Sequence, residues 1–153
     1  MPRERPVLLV ASNGGHLLQL VQLKDAWDRS RRVWVTFDKP DSRSLLAGED
    51  VVYAFHPTNR NVLNLLRNLA LALRVVWRLR PAAVVSTGAG VAVPFCYVAR
   101  GAGARVVYIE SFSRIERPSL TGRLVHPVAH RFFVQWPELV ARFPKAEFRG
   151  SLL

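Results

Sequence analysis

At 153 residues, 50% hydrophobic and without a low-complexity tract, the chain is long enough for one domain with a real core. Lys and Arg number 22 against 11 Asp and Glu, a formal net charge of +11, and only Lys24, Lys39 and Lys145 are lysines. The excess is therefore arginine, suited to planar contacts with phosphate, and it points to an anionic partner. A single cysteine, Cys96, excludes an internal disulfide and fits a reducing compartment, and the four histidines show no ligand spacing, so no metal and no cofactor is expected.

The N-terminal residues 1–6 lead directly into the first strand, whose apolar run is too short for a signal peptide. Strands are expected at 7–11, 33–37, 51–55, 83–87, 105–109 and 131–135, with a last strand-like piece at Glu147-Phe148-Arg149. Helices are expected at 16–28, 42–47, 61–79, 91–101, 119–130 and 137–143. This alternation predicts an α/β fold, a Rossmann-like, mainly parallel sheet with helices on both faces, as a single domain over 1–153. Such sheets bind ligands beyond the carboxyl ends of their strands, the edge where the loops 12–16, 87–90 and 110–118 fall.

Two of those loops are rich in glycine. Ser12-Asn13-Gly14-Gly15-His16 joins the run Val7-Leu8-Leu9-Val10-Ala11 to a helix, and Ser86-Thr87-Gly88-Ala89-Gly90 follows the fourth strand. Glycines let the backbone approach a ligand closely, and the helix start behind them offers unpaired N–H groups to phosphate. Ser12, Asn13, Gly14, Gly15, Thr87, Gly88 and Gly90 are thus candidate diphosphate-binding residues, with the bare strand-to-helix turn as the competing reading. The dinucleotide fingerprint is not met, although Asp38 sits near the place of its acidic residue, and the Walker pattern is absent.

In the third long helix, Arg60, Arg67, Arg74 and Arg78 are spaced by seven, seven and four, so they share one side. Spanning a bilayer would bury Arg67 and Arg74 at roughly 2.5–3.5 kcal/mol each, so no transmembrane segment is expected. An interfacial helix fits instead, with Arg67, Arg74 and Arg78 toward lipid phosphates and leucines and Trp77 at the acyl boundary. The alternative is a surface helix with its arginines in water and its leucines in the core.

Five ordered motifs carry a family resemblance: the first glycine loop, Ser86 to Phe95, Tyr108-Ile109-Glu110-Ser111-Phe112-Ser113-Arg114, Pro118-Ser119-Leu120-Thr121-Gly122, and Phe133-Val134-Gln135-Trp136-Pro137. Together, from about residue 7 to 150, they closely resemble the small anchor subunit of two-subunit UDP-sugar transferases. The eukaryotic member assists transfer of the second N-acetylglucosamine onto dolichol diphosphate, and PssD-like bacterial relatives serve exopolysaccharide and capsule assembly. The resemblance implies the N-terminal, acceptor-side half of a GT-B glycosyltransferase. Its partners would be a donor-binding subunit that holds most of the UDP-sugar, a polyprenyl-diphosphate-linked sugar acceptor, and an anionic membrane surface. Eukaryotic anchors carry an N-terminal transmembrane segment that this chain is expected to lack, so attachment would be peripheral, on the cytoplasmic face, through residues 61–79.

Sugar transfer with inversion needs a base for the acceptor hydroxyl and positive charge for diphosphates. His16 and Glu110 are the catalytic candidates; for Glu110 an ion pair with Arg114 or Arg117 is the competing expectation. Arg114, Phe133 and Trp136 are candidate contacts with the partner subunit. A nucleic-acid-binding module would explain the charge, yet no aromatic sheet motif or recognition helix supports it, and no nucleic acid is expected. A self-contained small nucleotide-binding enzyme remains the other alternative.

Overall fold

Apolar, β-branched runs separated by helix-length stretches assemble into one seven-stranded sheet in a computed structural model that describes residues 4–152. The strands are β1 (Val7–Ala11), β2 (Arg32–Phe37), β3 (Val51–Ala54), β4 (Ala83–Gly88), β5 (Arg105–Ile109), β6 (Arg131–Val134) and β7 (Ala146–Phe148). All pairings are parallel, and the order across the sheet is β3-β2-β1-β4-β5-β6-β7. The chain winds outward from β1 to β3, then returns to the other side of β1 with β4. The loops leaving β1 and β4 therefore diverge and open a crevice at their carboxyl ends.

The helices are α1 (Gly15–Gln22), α2 (Lys24–Trp27), α3 (Pro40–Leu45), α4 (Val62–Leu79), α5 (Ala92–Gly101) and α6 (Leu120–Val125), with 3-10 turns at His126–Val128 and Pro137–Arg142. Strand alternation splits the core in two. Leu8, Val10, Val33 and Val35 pack with Ala72, Val76 and Phe95 of α4 and α5. Leu9, Ala11 and Trp34 turn to the opposite face and meet Leu17, Leu20 and Trp27.

Several boundaries differ from the sequence expectation. The helix expected over 16–28 breaks at Leu23, whose N–H reaches Leu20 O at 3.2 Å, three residues back rather than four. Residues 119–130 do not stay α-helical, because Pro127 has no N–H to give and the chain tightens into a 3-10 turn. The 137–143 helix is likewise a 3-10 turn that starts at Pro137. The short C-terminal piece pairs with β6 as a seventh strand.

Candidate functional site

A cleft of about 1150 Å³ opens at the carboxyl edge of the sheet. It draws Ser12, Asn13 and His16 from the loop after β1, Gly90 from the loop after β4, and Ser111, Ser113 and Arg114 from the loop after β5. The β2–α3 and β3–α4 connections supply Lys39, His56 and Arg60, none of which the glycine motifs had pointed to. The cleft lining holds three cationic side chains and no carboxylate among the described residues, so its field favours an anion. Arg60 does not join the arginine stripe of α4. Asn61 is the N-cap, its side chain accepting from Asn64 N at 2.9 Å, and Arg60 precedes it at φ +48°, facing the cleft instead.

His16 stands on the first turn of α1, held against β4 from two sides. Its Nδ1 lies 2.9 Å from Thr87 O, and Thr87 Oγ1 donates to His16 O. A carbonyl only accepts, so Nδ1 carries the proton, and the lone pair of the neutral ring resides on Nε2. Thr87 is fully buried and Gly88 is buried behind the imidazole. A Cβ on Gly88, at φ +119°, would stand 3.2 Å from His16 Cε1 and 3.1 Å from the Tyr108 hydroxyl. Gly90 packs on the β3–α4 loop, where a Cβ would meet Thr58 at 3.0 Å. These two glycines thus admit close neighbours within the fold, and Thr87 orients the histidine.

Gly14 is placed differently from the expectation of two free N–H donors. At φ +77° it turns its N–H to Asp41 Oδ2 at 2.7 Å, while Asn13 Nδ2 reaches Asp41 Oδ1 at 3.3 Å. That carboxylate, on α3, occupies the Gly14 donor and ties the loop down. Gly15 opens α1, which has no side-chain cap, and a Cβ there would meet nothing within 4 Å.

Glu110 does not pair with Arg114 or Arg117. It is fully buried and receives Ser111 N at 3.1 Å, Ser119 N at 3.0 Å, Ser119 Oγ at 2.7 Å and the Tyr108 hydroxyl at 3.4 Å. Gly122 is packed so tightly over it that any side chain there would collide with the carboxylate. Burial beside that carboxylate pushes the Tyr108 phenol well above its ordinary value. Glu110 therefore gathers the two ends of the 111–119 loop from behind, and it is not among the cleft-lining residues.

A second buried link connects the loops. Gln19 Oε1 accepts from Phe112 N at 3.0 Å and from Gln135 Nε2 at 2.6 Å, and Gln135 Oε1 accepts from Leu152 N at 2.9 Å. Trp136 Nε1 donates to Phe112 O at 2.6 Å, and Phe133 lies half-buried under the Arg131 guanidinium, 5.1 Å away. Arg114 is exposed. Asp38 pairs with Arg43, whose hydrogen bond holds the carboxyl below its ordinary value.

Helix α4 buries Ala72, Val75 and Val76 in the core with its second half but departs from the usual arrangement in its first. Asn64 and Asn68 are buried, whereas Val62, Leu66, Leu69, Leu73 and Trp77, at intervals of four, three, four and four, are exposed, Trp77 at 77%. The buried amides bind loop backbone: Asn68 takes Phe55 N at 2.8 Å and gives to Phe55 O at 3.0 Å, and Asn64 Nδ2 gives to Pro57 O at 2.8 Å. They thereby fix the 55–61 segment that walls the cleft. Arg67, Arg74 and Arg78 flank the exposed apolar stripe. The expectation of leucines in the core holds only for Leu71 and Leu79, which pack partly buried against it, and fails for Leu63, Leu65, Leu66, Leu69 and Leu73, which are exposed. Among the described residues, no helix is long and apolar enough to cross a membrane.

Comparison with solved structures places the fold. Over 96% of this chain and 45% of that chain, it superposes on Acinetobacter baumannii MurG with a TM-score of 0.77 at 19% identity. A UDP-N-acetylglucosamine 2-epimerase from Rickettsia bellii gives 0.76 at 11% identity, over 98% of this chain and 46% of that chain. Among curated proteins, the Homo sapiens UDP-N-acetylglucosamine transferase subunit ALG14 is 26% identical over 99% of this chain and 85% of its own length. The Yarrowia lipolytica subunit of the same name is 35% identical over 92 residues, 56% of this chain and 43% of that protein. The chain thus spans less than half of the Yarrowia relative and of both solved structures. The family model described as "Oligosaccharide biosynthesis protein Alg14 like" matches residues 54–152, well over half of the sequence, and the chain belongs to that family.

Proposed function

We propose that the chain is the acceptor-side subunit of a heteromeric UDP-sugar transferase that extends a polyprenyl-diphosphate-linked saccharide. It serves lipid-linked oligosaccharide or exopolysaccharide synthesis as a peripheral protein on the cytoplasmic face of the membrane. The observation that carries this reading is the carboxylate-free cleft at the sheet's switch point, with Lys39, Arg60 and Arg114 around His16. The diphosphate of the acceptor sits among these cations, helped by the uncapped first turn of α1. His16 Nε2 takes the proton from the acceptor hydroxyl as that oxygen bonds to the anomeric carbon of the donor. The bond to UDP breaks, and its electron pair leaves with the diphosphate.

The donor nucleotide belongs to a second subunit, which docks on the exposed 112–117 loop with Arg114 and on the segment of Phe133 and Trp136. The relatives named as transferase subunits support such a division. The exposed face of α4 lies on the bilayer, Val62, Leu66 and Leu73 at the acyl boundary and Arg67, Arg74 and Arg78 at lipid phosphates.

The test is reconstitution with a donor-binding subunit of this transferase class, UDP-N-acetylglucosamine and a polyprenyl-diphosphate-linked sugar. The isolated chain is expected to transfer nothing and the mixture to elongate the acceptor. In the mixture, His16→Ala lowers turnover by on the order of 10²–10⁴. Turnover by the pure chain alone overturns the division of labour, and a loss under threefold removes His16 as the base.

A further inference from the structure

In a parallel sheet the covering helices run back against the strands, so the C-terminal ends of α4 and α5 lie at the edge opposite the cleft. Between them is a second groove, of about 1070 Å³. Its apolar side is formed by Leu73, Trp77 and Val98, and its basic side by Arg31, Arg78 and Arg80. Among the described residues these three arginines make no ion pair within 4 Å, and Arg31 Nη1 gives to Glu4 O at 3.3 Å. Arg80 stacks its guanidinium 5.2 Å from the Trp77 ring centre.

Carbonyls at a helix C-terminus normally repel an anion. Here Arg5 answers them, its Nε giving to Arg80 O at 2.9 Å and its Nη2 to Pro81 O at 3.0 Å. One carboxylate, Glu4, also lines the groove, and the charge balance remains basic.

We propose that this groove holds the phosphate headgroup of an anionic membrane phospholipid. The inference rests on the reading that α4 lies on the bilayer. Leu73 and Trp77 belong to both the exposed face of α4 and the groove, so an acyl chain leaving the groove continues onto the apolar stripe. The complementary charge selects an acidic headgroup over a zwitterionic one. Helix α4 has 18 residues, about 27 Å, between cleft and groove. A lipid gripped at the far end fixes the rotation of the helix about its axis and turns the cleft mouth toward the membrane.

The experiment is vesicle flotation of the full chain on phosphatidylcholine alone and on phosphatidylcholine mixed with phosphatidylglycerol. Three variants are compared: Arg31→Gln with Arg80→Gln in the groove, Arg29→Gln with Arg142→Gln as a charge-matched exposed control, and Leu66→Gln with Leu69→Gln on the α4 face. Circular dichroism verifies that each is folded. The groove pair should lower partitioning onto the anionic vesicles by tenfold or more, at roughly fivefold per basic residue, and leave phosphatidylcholine binding unchanged. The control should change neither by more than about twofold. The α4 pair should lose binding to both vesicles.

If the groove pair behaves like the control, the headgroup site is overturned while the interfacial helix stands. If the wild-type chain floats with neither vesicle, both fall. Soluble glycerol 3-phosphate should leave flotation unaffected at concentrations matching the lipid; displacement by it would assign the groove to free phosphate esters and overturn the lipid reading.

Discussion

Helices α4 and α5 lie side by side on one face of the sheet and divide their apolar residues differently between core and surface. Helix α5 buries Ala92, Phe95, Cys96 and Ala99 against β1, β4 and β5, and full burial pushes the Cys96 thiol up to about 12, an inert core group. Helix α4 divides its buried face: Asn64 and Asn68 in the first half bind the backbone of 55–57, Ala72, Val75 and Val76 in the second half join the core, and most of its leucines stay exposed. One helix is an element of the core along its whole buried face. The other enters the core with its C-terminal half and braces the cleft wall with its N-terminal half.

The contrast is sharpest in stability measurements. Phe95→Ala on α5 should cost about 3–5 kcal/mol, read by denaturant unfolding, because a fully buried ring is replaced by a cavity. Asn68→Ala on α4 should cost about 1–3 kcal/mol, since Phe55 N–H and C=O both lose their partner. It should also raise the acceptor KM more than it lowers kcat, because the 55–61 wall loosens while His16 stays clamped to Thr87. An unchanged KM would mean that the asparagines only stabilise the helix.

The smallest stability effect belongs to Leu66→Ser and Leu69→Ser, each about 0.5–1 kcal/mol by unfolding, because Leu66 is more than half exposed and Leu69 is 37% exposed. The same pair should lower vesicle partitioning by tenfold or more, a leucine's burial being worth about 1.5–3 kcal/mol. A destabilisation as large as that of Phe95→Ala would erase the distinction between the two helices.

Sequence alone carried the architecture. Alternating β-branched runs and helical stretches dictated a parallel α/β sheet, because strands buried on both faces must be continuously apolar. The edge position of 12–16, 87–90 and 110–118 followed from strand direction, and His16 and Arg114 do line the same cleft. The asparagines at 61, 64 and 68 drew no expectation, although they share one side of the helix. Periodicity gives two faces of a helix without saying which one turns inward. That depended on the loop backbone at 55–57, whose buried polar groups needed side-chain partners.

Tertiary structure decided which of the candidate residues face the cleft. Glu110 and His16 both follow strands at the binding edge, yet one is enclosed by Ser111, Ser119 and Gly122 and the other faces the cleft, a difference set by how α6 folds back over β5. Arg60 left the arginine stripe for the cleft because the cap at Asn61 starts the helix one residue later. Asp41, distant in sequence, took the Gly14 donor. The residue types present in a loop are written in the chain, but which donors and charges stay unpaired depends on what the rest of the fold brings against them.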